Sequence, residues 1–239
     1  MNYQTQMKVK RWLRKPLVMY AFLGIQTIVF ILMTVSETFG SGLLSNQIVG
    51  WGAMFKPYVV MDHEYWRFIT PIFIHFGIAH FALNSITLYY LGSQIETVFG
   101  HWRFFLIYLG GGILGNAVSF AFGQANAISA GASTSLFGLF GAFVVIGYHF
   151  RHNPAIAQMA RQYFMLILLN LGFNLFMPSI DILGHIGGVF GGALVANVLG
   201  VQSGQGDFTI HDKIIGTVLF IFILVICLIL GFKKYGFPV

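Results

Sequence analysis

A serine stands in Gly131-Ala132-Ser133-Thr134-Ser135-Leu136-Phe137-Gly138, at the start of one apolar run, and a histidine stands in Gly184-His185-Ile186-Gly187-Gly188, near the start of another. Polar groups in hydrocarbon are costly unless they pack against partners or line a wet cavity, so two of them at one depth mark a candidate functional site. A neutral imidazole bonded to a serine hydroxyl can take its proton as the hydroxyl attacks a carbonyl, then return it to the leaving amine. Taken singly, the serine reads as a helix-packing hydroxyl and the histidine as an interhelical hydrogen bond. Their coincidence in depth points to hydrolysis of a peptide bond inside the bilayer.

A second pair fits the same chemistry. In His80-Phe81-Ala82-Leu83-Asn84 a histidine and an amide stand at i and i+4, on one helix face. Beside a serine nucleophile both can donate hydrogen bonds to a developing oxyanion, together with the Ser133 backbone N–H and the positive end of its helix dipole. The rival reading of the pair is polar glue between helices.

These side chains need elements to hold them, and composition says what kind. With 57% hydrophobic and 8% charged residues and a mean hydropathy of +0.79, the chain cannot hide its apolar surface in one water-soluble core. It reads as an all-α, polytopic transmembrane bundle. Spans are expected at roughly 17 to 36, 77 to 93, 103 to 123, 130 to 149, 161 to 178, 182 to 201 and 213 to 232. Helices are required because no water reaches the bilayer core to satisfy open backbone groups, and the runs are too long for barrel strands. With no linker, low-complexity tract or repeat, residues 1–239 read as a single integral membrane domain. At about 1.5 Å of rise per residue, Ser133 and His185 fall roughly 6 to 9 Å below the starts of their spans. Glycines 131, 138 and 141 on one span and 184, 187, 188, 191 and 192 on the other allow the two backbones to approach closely.

The net charge of +6 is no nucleic-acid signature, because Lys8, Lys10, Arg11, Arg14 and Lys15 cluster just before the first apolar run. That placement is topogenic. With a cytoplasmic amino terminus, the inner side holds those five residues with Arg103, Arg151, Arg161 and Lys213, against Lys56, Arg67, Lys233 and Lys234 outside. His80, Ser133 and His185 then share a depth near the outer face. The first run has no convincing cleavage site and reads as a retained anchor. The gap from Gly40 to Gly77 carries Trp51, Phe55, Tyr58, Tyr65 and Trp66 and reads as a structured loop partly embedded in one leaflet, with an ordinary packed loop as the alternative.

Taken together these residues resemble the rhomboid family of intramembrane serine proteases. His80 and Asn84 match the family's HxxxN, Gly92, Glu96 and Gly100 its GxxxExxxG, Gly131 and Ser133 its nucleophile motif, and His185 its base; Trp66-Arg67 looks like the pair in its first loop. The match spans about residues 50 to 200. The resemblance implies a six-helix core, with the run at about 213 to 232 as one extra C-terminal helix. It also implies that Ser133 is the nucleophile, His185 the general base and acid, and His80 and Asn84 the oxyanion residues. Gly131 would keep the turn open near the reacting carbonyl, and Phe137, one turn beyond Ser133, would pack on the His185 ring. Glu96 would be structural. Thr134, where many relatives have glycine, is a departure expected to tighten the substrate pocket.

Other polar residues read differently. Ser135 lies about 200° around the axis from Ser133 and should face elsewhere. Asp181 reads as the cap of the sixth span, with orientation of His185 as the alternative. Asn170 and Asn174 share a face of span five and read as interhelical or water contacts, with a substrate-gate role as the alternative. His63, His75, His101, His149, His152 and His211 show no repeated ligand pattern, and Cys227 is the sole cysteine, so neither a metal site nor any cofactor is expected. The expected partners are transmembrane protein substrates and the lipid bilayer, with no nucleic acid; oligomeric state is left open. The expected function is a serine endopeptidase cutting in or beside transmembrane segments, multi-pass in a cell membrane. The alternatives are a noncatalytic binder of transmembrane helices, although such a protein would be expected to lack the serine or histidine, and a transporter, although no inverted repeat is evident.

Overall fold

Apolar runs of helical length become helices because the bilayer leaves backbone groups no partner but one another. The computed structural model describes residues 15–39, 44–177, 180–202 and 208–235. The basic residues Lys8, Lys10, Arg11 and Arg14 lie outside these.

The chain runs through α1 (Leu17–Phe39), α2 (Leu44–Gly50), β1 (Met54–Phe55), α3 (Lys56–Met61) and two 3-10 turns, Tyr65–Phe68 and Thr70–Phe73. Next come α4 (Gly77–Thr87), a π-turn over Leu88–Gly92, α5 (Ser93–Phe99) and α6 (His101–Phe122). After β2 (Ile128–Ser129) follow α7 (Ser133–His149), α8 (Pro154–Asn174), α9 (Ile182–Leu199) and α10 (Ile210–Lys234). The protein is a multi-pass helical bundle. Each expected span holds helix, and α1, α6, α9 and α10 are long and apolar enough to cross a membrane by themselves.

Three boundaries differ from expectation for local reasons. The second span continues through the π-turn to Phe99, where Gly100 takes a positive φ of 82° and ends it. The fourth starts at Ser133 rather than 130, since residues 128–129 pair as strand with 54–55. The fifth begins at Pro154, because Asn153 caps it by accepting from the Ala155 and Ile156 N–H groups; hydropathy is blind to that signal.

Glycine sets the centre of the bundle. A Cβ on Gly188 would lie 2.2 Å from Thr134 O, one on Gly192 2.1 Å from Gly138 O, and one on Gly191 2.8 Å from Gly110 O. Side chains do not fit in such gaps, so α9 packs backbone to backbone against α7 and α6. Around this seam Phe99, Phe104, Tyr108, Leu139 and Phe143 are buried as one core with Phe22 of α1. By contrast α8 buries only Ala160 and Ile167 among its described residues. It is held by the Tyr163 ring stacked on Phe143 at 3.9 Å.

The loop before α4 is ordered around one cation. Arg67 is buried, pairs with Glu64, and donates to the carbonyls of Val49 at 2.8 Å and Ala53 at 2.5 Å. Asn116 of α6 secures the next turn by donating to Phe68 O at 2.9 Å. The described part of the loop is structured, and its order comes from a buried guanidinium satisfying backbone acceptors that would otherwise be orphaned.

Candidate active site

Ser133 is the first residue of α7, and the turn before it is built to leave its amide available. Gly131 N–H donates to Pro71 O at 2.9 Å, and Ala132 N–H reaches His75 Nε2 at 3.4 Å. The first intrahelical bond runs from Leu136 N–H to Ala132 O. Ser133 N–H, an end-of-helix donor, is thus left without a partner among the described residues, at the positive end of the dipole.

His185 stands one turn into α9, whose head is capped by Asp181 accepting from Gly184 N–H at 2.9 Å. The seam brings the imidazole onto the serine, with His185 Nε2 2.8 Å from Ser133 Oγ. Phe137 of α7 stacks on the imidazole at 4.3 Å between centroids, inclined 17°. Serine, histidine and aromatic plate are thus brought together by two helices that cannot slide apart without opening the glycine contacts. Buried His185 and half-buried Ser133 face each other at the rim of the packed interior.

His80 of α4 completes one wall. Its Nδ1 accepts from Phe76 N–H at 3.3 Å, which places the ring proton on Nε2. A Cβ on Gly131 would lie 2.8 Å from that Nε2 and 3.5 Å from Ser133 Oγ, so His80 borders the serine and Gly131 has no room for a side chain. Gly131 also holds a φ of +134°, which a side chain would strain. Asn84 is buried and turns its Nδ2 back onto His80 O at 2.9 Å. That bond leaves one amide hydrogen for another acceptor.

Several neighbours fall elsewhere. Ser135 Oγ points at Gly112 of α6, away from His185. Thr134, expected at the substrate pocket, instead packs its Cβ against Gly115 and its Cγ2 against Gly184. It is a seam residue. The reason is helical geometry: one position past Ser133 rotates by about 100°, into the α6 and α9 contact. Glu96 lies at the far end of the bundle and accepts from the Val18 and Met19 N–H groups at 2.9 and 2.7 Å, capping α1. No group of three or more metal-ligating side chains occurs among the described residues.

Sequence reasoning missed two contributors. His75, read only as one of six histidines without a ligand pattern, is buried under the serine turn through Ala132 N–H, and burial, with His80 adding to it, pushes its pKa down to about 3. Asn174, at the end of α8, has its Nδ2 2.7 Å from His185 Nδ1. Spacing of Asn170 and Asn174 indicated a shared face and nothing about which helix that face meets.

Comparison with known proteins gives an independent view. A Rhomboid domain model matches residues 62–202. Rhomboid protease GluP of Bacillus subtilis is 35% identical over 222 residues, covering 93% of this chain and 41% of that protein. RHOMBOID-like protein 7 of Arabidopsis thaliana is 34% identical over 161 residues, 66% of this chain and 50% of that protein. RHOMBOID-like protein 2 of the same plant is 33% identical over 168 residues, 69% and 52% of the two chains. The chain spans between about two-fifths and one-half of the length of these relatives.

Proposed function

The chain belongs to the rhomboid family, and from that premise we propose that it is an intramembrane serine endopeptidase whose nucleophile is Ser133 and whose general base is His185. The observation that carries the reading is the 2.8 Å contact of His185 Nε2 with Ser133 Oγ, beside a helix-start amide with no partner among the described residues. In the first step Ser133 Oγ bonds to the scissile carbonyl carbon while His185 Nε2 takes its proton. The carbonyl oxygen becomes an oxyanion. Ser133 N–H and His80 Nε2–H are its donors, with the second hydrogen of Asn84 as a third, and stabilisation by each donor of this kind is worth about 3 kcal/mol. The imidazolium then protonates the leaving amine, giving an acyl-enzyme. Water, deprotonated by His185, attacks that ester and restores the serine.

The rest of the chain fits this role. The Rhomboid relative GluP is a protease by name. Substrates would be transmembrane proteins whose cut region is helix-weakened, since a helical carbonyl is already bonded and cannot enter the oxyanion site. We place the amino terminus in the cytoplasm of a cell membrane and the site near the outer face, on the basic-residue distribution. The whole chain acts as one domain, with residues of about 50–200 as the core and α10 appended.

The test is cleavage of a labelled transmembrane substrate by purified, reconstituted protein. Wild type should cut and Ser133→Ala should not, while Ser135→Ala retains activity. Substantial cleavage by Ser133→Ala would remove the assignment; loss only in Ser135→Ala would move the nucleophile. Binding of the substrate without cleavage by wild type would support a noncatalytic binder instead.

A further inference from the structure

His185 has two ring nitrogens, and the proposed chemistry uses only one. For Nε2 to accept the serine proton it must carry a lone pair, so the neutral ring must hold its hydrogen on Nδ1. That N–H needs an acceptor in a buried place, or it costs the full desolvation of an unmet donor. Asp181 is the nearest carboxylate along the helix, yet neither oxygen bonds the ring: Oδ1 accepts from Gly184 N–H at the cap and Oδ2 has no partner among the described residues. The side chain that meets Nδ1 is Asn174, 2.7 Å away and contributed by a different helix.

An asparagine amide is suited to both states of this ring. Its oxygen and nitrogen exchange places on a half-turn about the terminal bond. With Nδ2 on Nδ1, the ring proton sits on Nε2 and the base is idle. With Oδ1 on Nδ1, the ring proton is held at Nδ1 and the Nε2 lone pair faces Ser133. When His185 becomes imidazolium, Oδ1 still accepts, so the charged state is stabilised as it forms.

We propose that Asn174 is a positioning residue for the His185 base, selecting the tautomer that activates Ser133 and making the alignment of that base depend on how the end of α8 is seated. This rests on the Ser133–His185 reading. Three surfaces then fix the ring: Ser133 at Nε2, Asn174 at Nδ1 and the face of Phe137. Two of them come from the glycine-packed α7 and its contact with α9. The third comes from α8, the helix with the fewest buried residues of the three among those described. Seating α8 is thereby coupled to the readiness of the base.

The experiment uses the full chain, purified and reconstituted, and reads three quantities in each variant: kcat and KM on a labelled transmembrane substrate, the rate of Ser133 labelling by a fluorophosphonate, and the pH profile. The titratable groups whose charge reaches His185 are Asp181 at the head of its own helix and His80 on α4, and neither is altered. Asn174→Ala should lower kcat by about tenfold to a hundredfold with KM changed less than about twofold, and should slow labelling in proportion. Asn174→Asp, which keeps size and offers only acceptors, should move the acid limb of the profile to higher pH, because a carboxylate on Nδ1 favours the imidazolium. If Asn174→Ala does not fold, the Asn174→Asp profile carries the test alone. Normal kcat and labelling in a folded Asn174→Ala protein would overturn the proposal. So would a change confined to KM, which assigns the residue to substrate entry, or an unmoved acid limb in Asn174→Asp. Ser133→Ala in the same assays separates the two levels: its silence with normal Asn174 variants defeats only the positioning role, and its activity defeats the serine mechanism itself.

Discussion

Where α7 and α9 begin, Thr134 Oγ1, Ser135 Oγ and Asp181 Oδ2 are buried with no hydrogen-bond partner among the described residues. Where the same helices end, polar groups are matched. His149 Nε2 meets Asn197 Oδ1 at 2.7 Å, Asn197 Nδ2 donates to Asp212 O at 2.8 Å, and Arg103 Nε donates to Leu199 O at 3.2 Å. Glu96 caps α1 with both carboxylate oxygens and also pairs with His101. Buried polar groups are normally satisfied, so each unmet one calls for an explanation. The contrast separates a frame, where these groups bond one another and hold the helices, from a working end, where Asp181 Oδ2 stays unpaired among the described residues one turn before His185 and Thr134 and Ser135 are turned into the seam with α6 and α9.

If that division of labour is correct, substitutions at the two ends should fail in opposite ways. The largest effect is expected at the dyad. Ser133→Ala and His185→Ala should each cut turnover by at least about a thousandfold, with the double variant little worse than either, because both serve one proton transfer. Their unfolding temperatures should stay near wild type. Cleavage kinetics and thermal unfolding on the same preparations check this, and a large loss of stability would blur the distinction between the ends.

The next effect sharpens the working end. His80→Ala and Asn84→Ala should lower kcat by about tenfold to a thousandfold with little change in KM. As interhelical glue they would instead cost about 0.6 to 2 kcal/mol of stability, with activity falling only by the unfolded fraction. Normal turnover by a stable Asn84→Ala protein would exclude an oxyanion role for that amide.

Glu96→Ala probes the frame. It leaves the Val18 and Met19 amides uncapped in a buried place, so stability should fall by about 2 to 4 kcal/mol while each folded molecule keeps its turnover. Chemical denaturation with active-site titration measures the two separately. A stable Glu96→Ala protein that cannot cleave would break the comparison.

The smallest effect is a pH dependence at the loop beside the working end. Lys56 is buried, donates to Gln124 O at 2.6 Å, and burial, with nearby Lys234 adding and Asp181 opposing, pushes its pKa down to about 8 from 10.5. Between those values the unfolded chain binds more protons than the folded one, so stability rises with pH across that window. It is fully present above 10.5 and lost as pH falls through 8. Unfolding temperatures from pH 8 to 10.5 should climb in wild type more than in Lys56→Met. Parallel slopes would show that another group titrates.

Much of this was legible from residue types alone. Helix in each apolar run follows from hydrocarbon solvent, and a close α7–α9 approach from their glycines. The Asp181 cap follows from an acid one turn before a helical histidine, and the turn of Ser135 away from Ser133 follows from helical rotation. These signals act within a few residues, where backbone geometry is nearly the same in any fold. The start of α8 at Asn153-Pro154 was also written locally, but in capping chemistry rather than hydropathy.

The amino-acid sequence by itself determined which groups capable of proton transfer and oxyanion binding lie in apolar helices, and in what order along the chain. Only the tertiary structure decided how they meet. Packing placed Asn174 rather than Asp181 on His185 Nδ1 and His75 beneath the serine turn; it paired β1 with a strand more than seventy residues away, capped α1 with Glu96 from 78 residues on, and turned Thr134 into the seam. Each of those contacts joins segments whose relative position depends on helix packing. A side chain's type and local spacing fix its chemistry and its face, whereas its partner is set by which backbone the glycine contacts allow to come near.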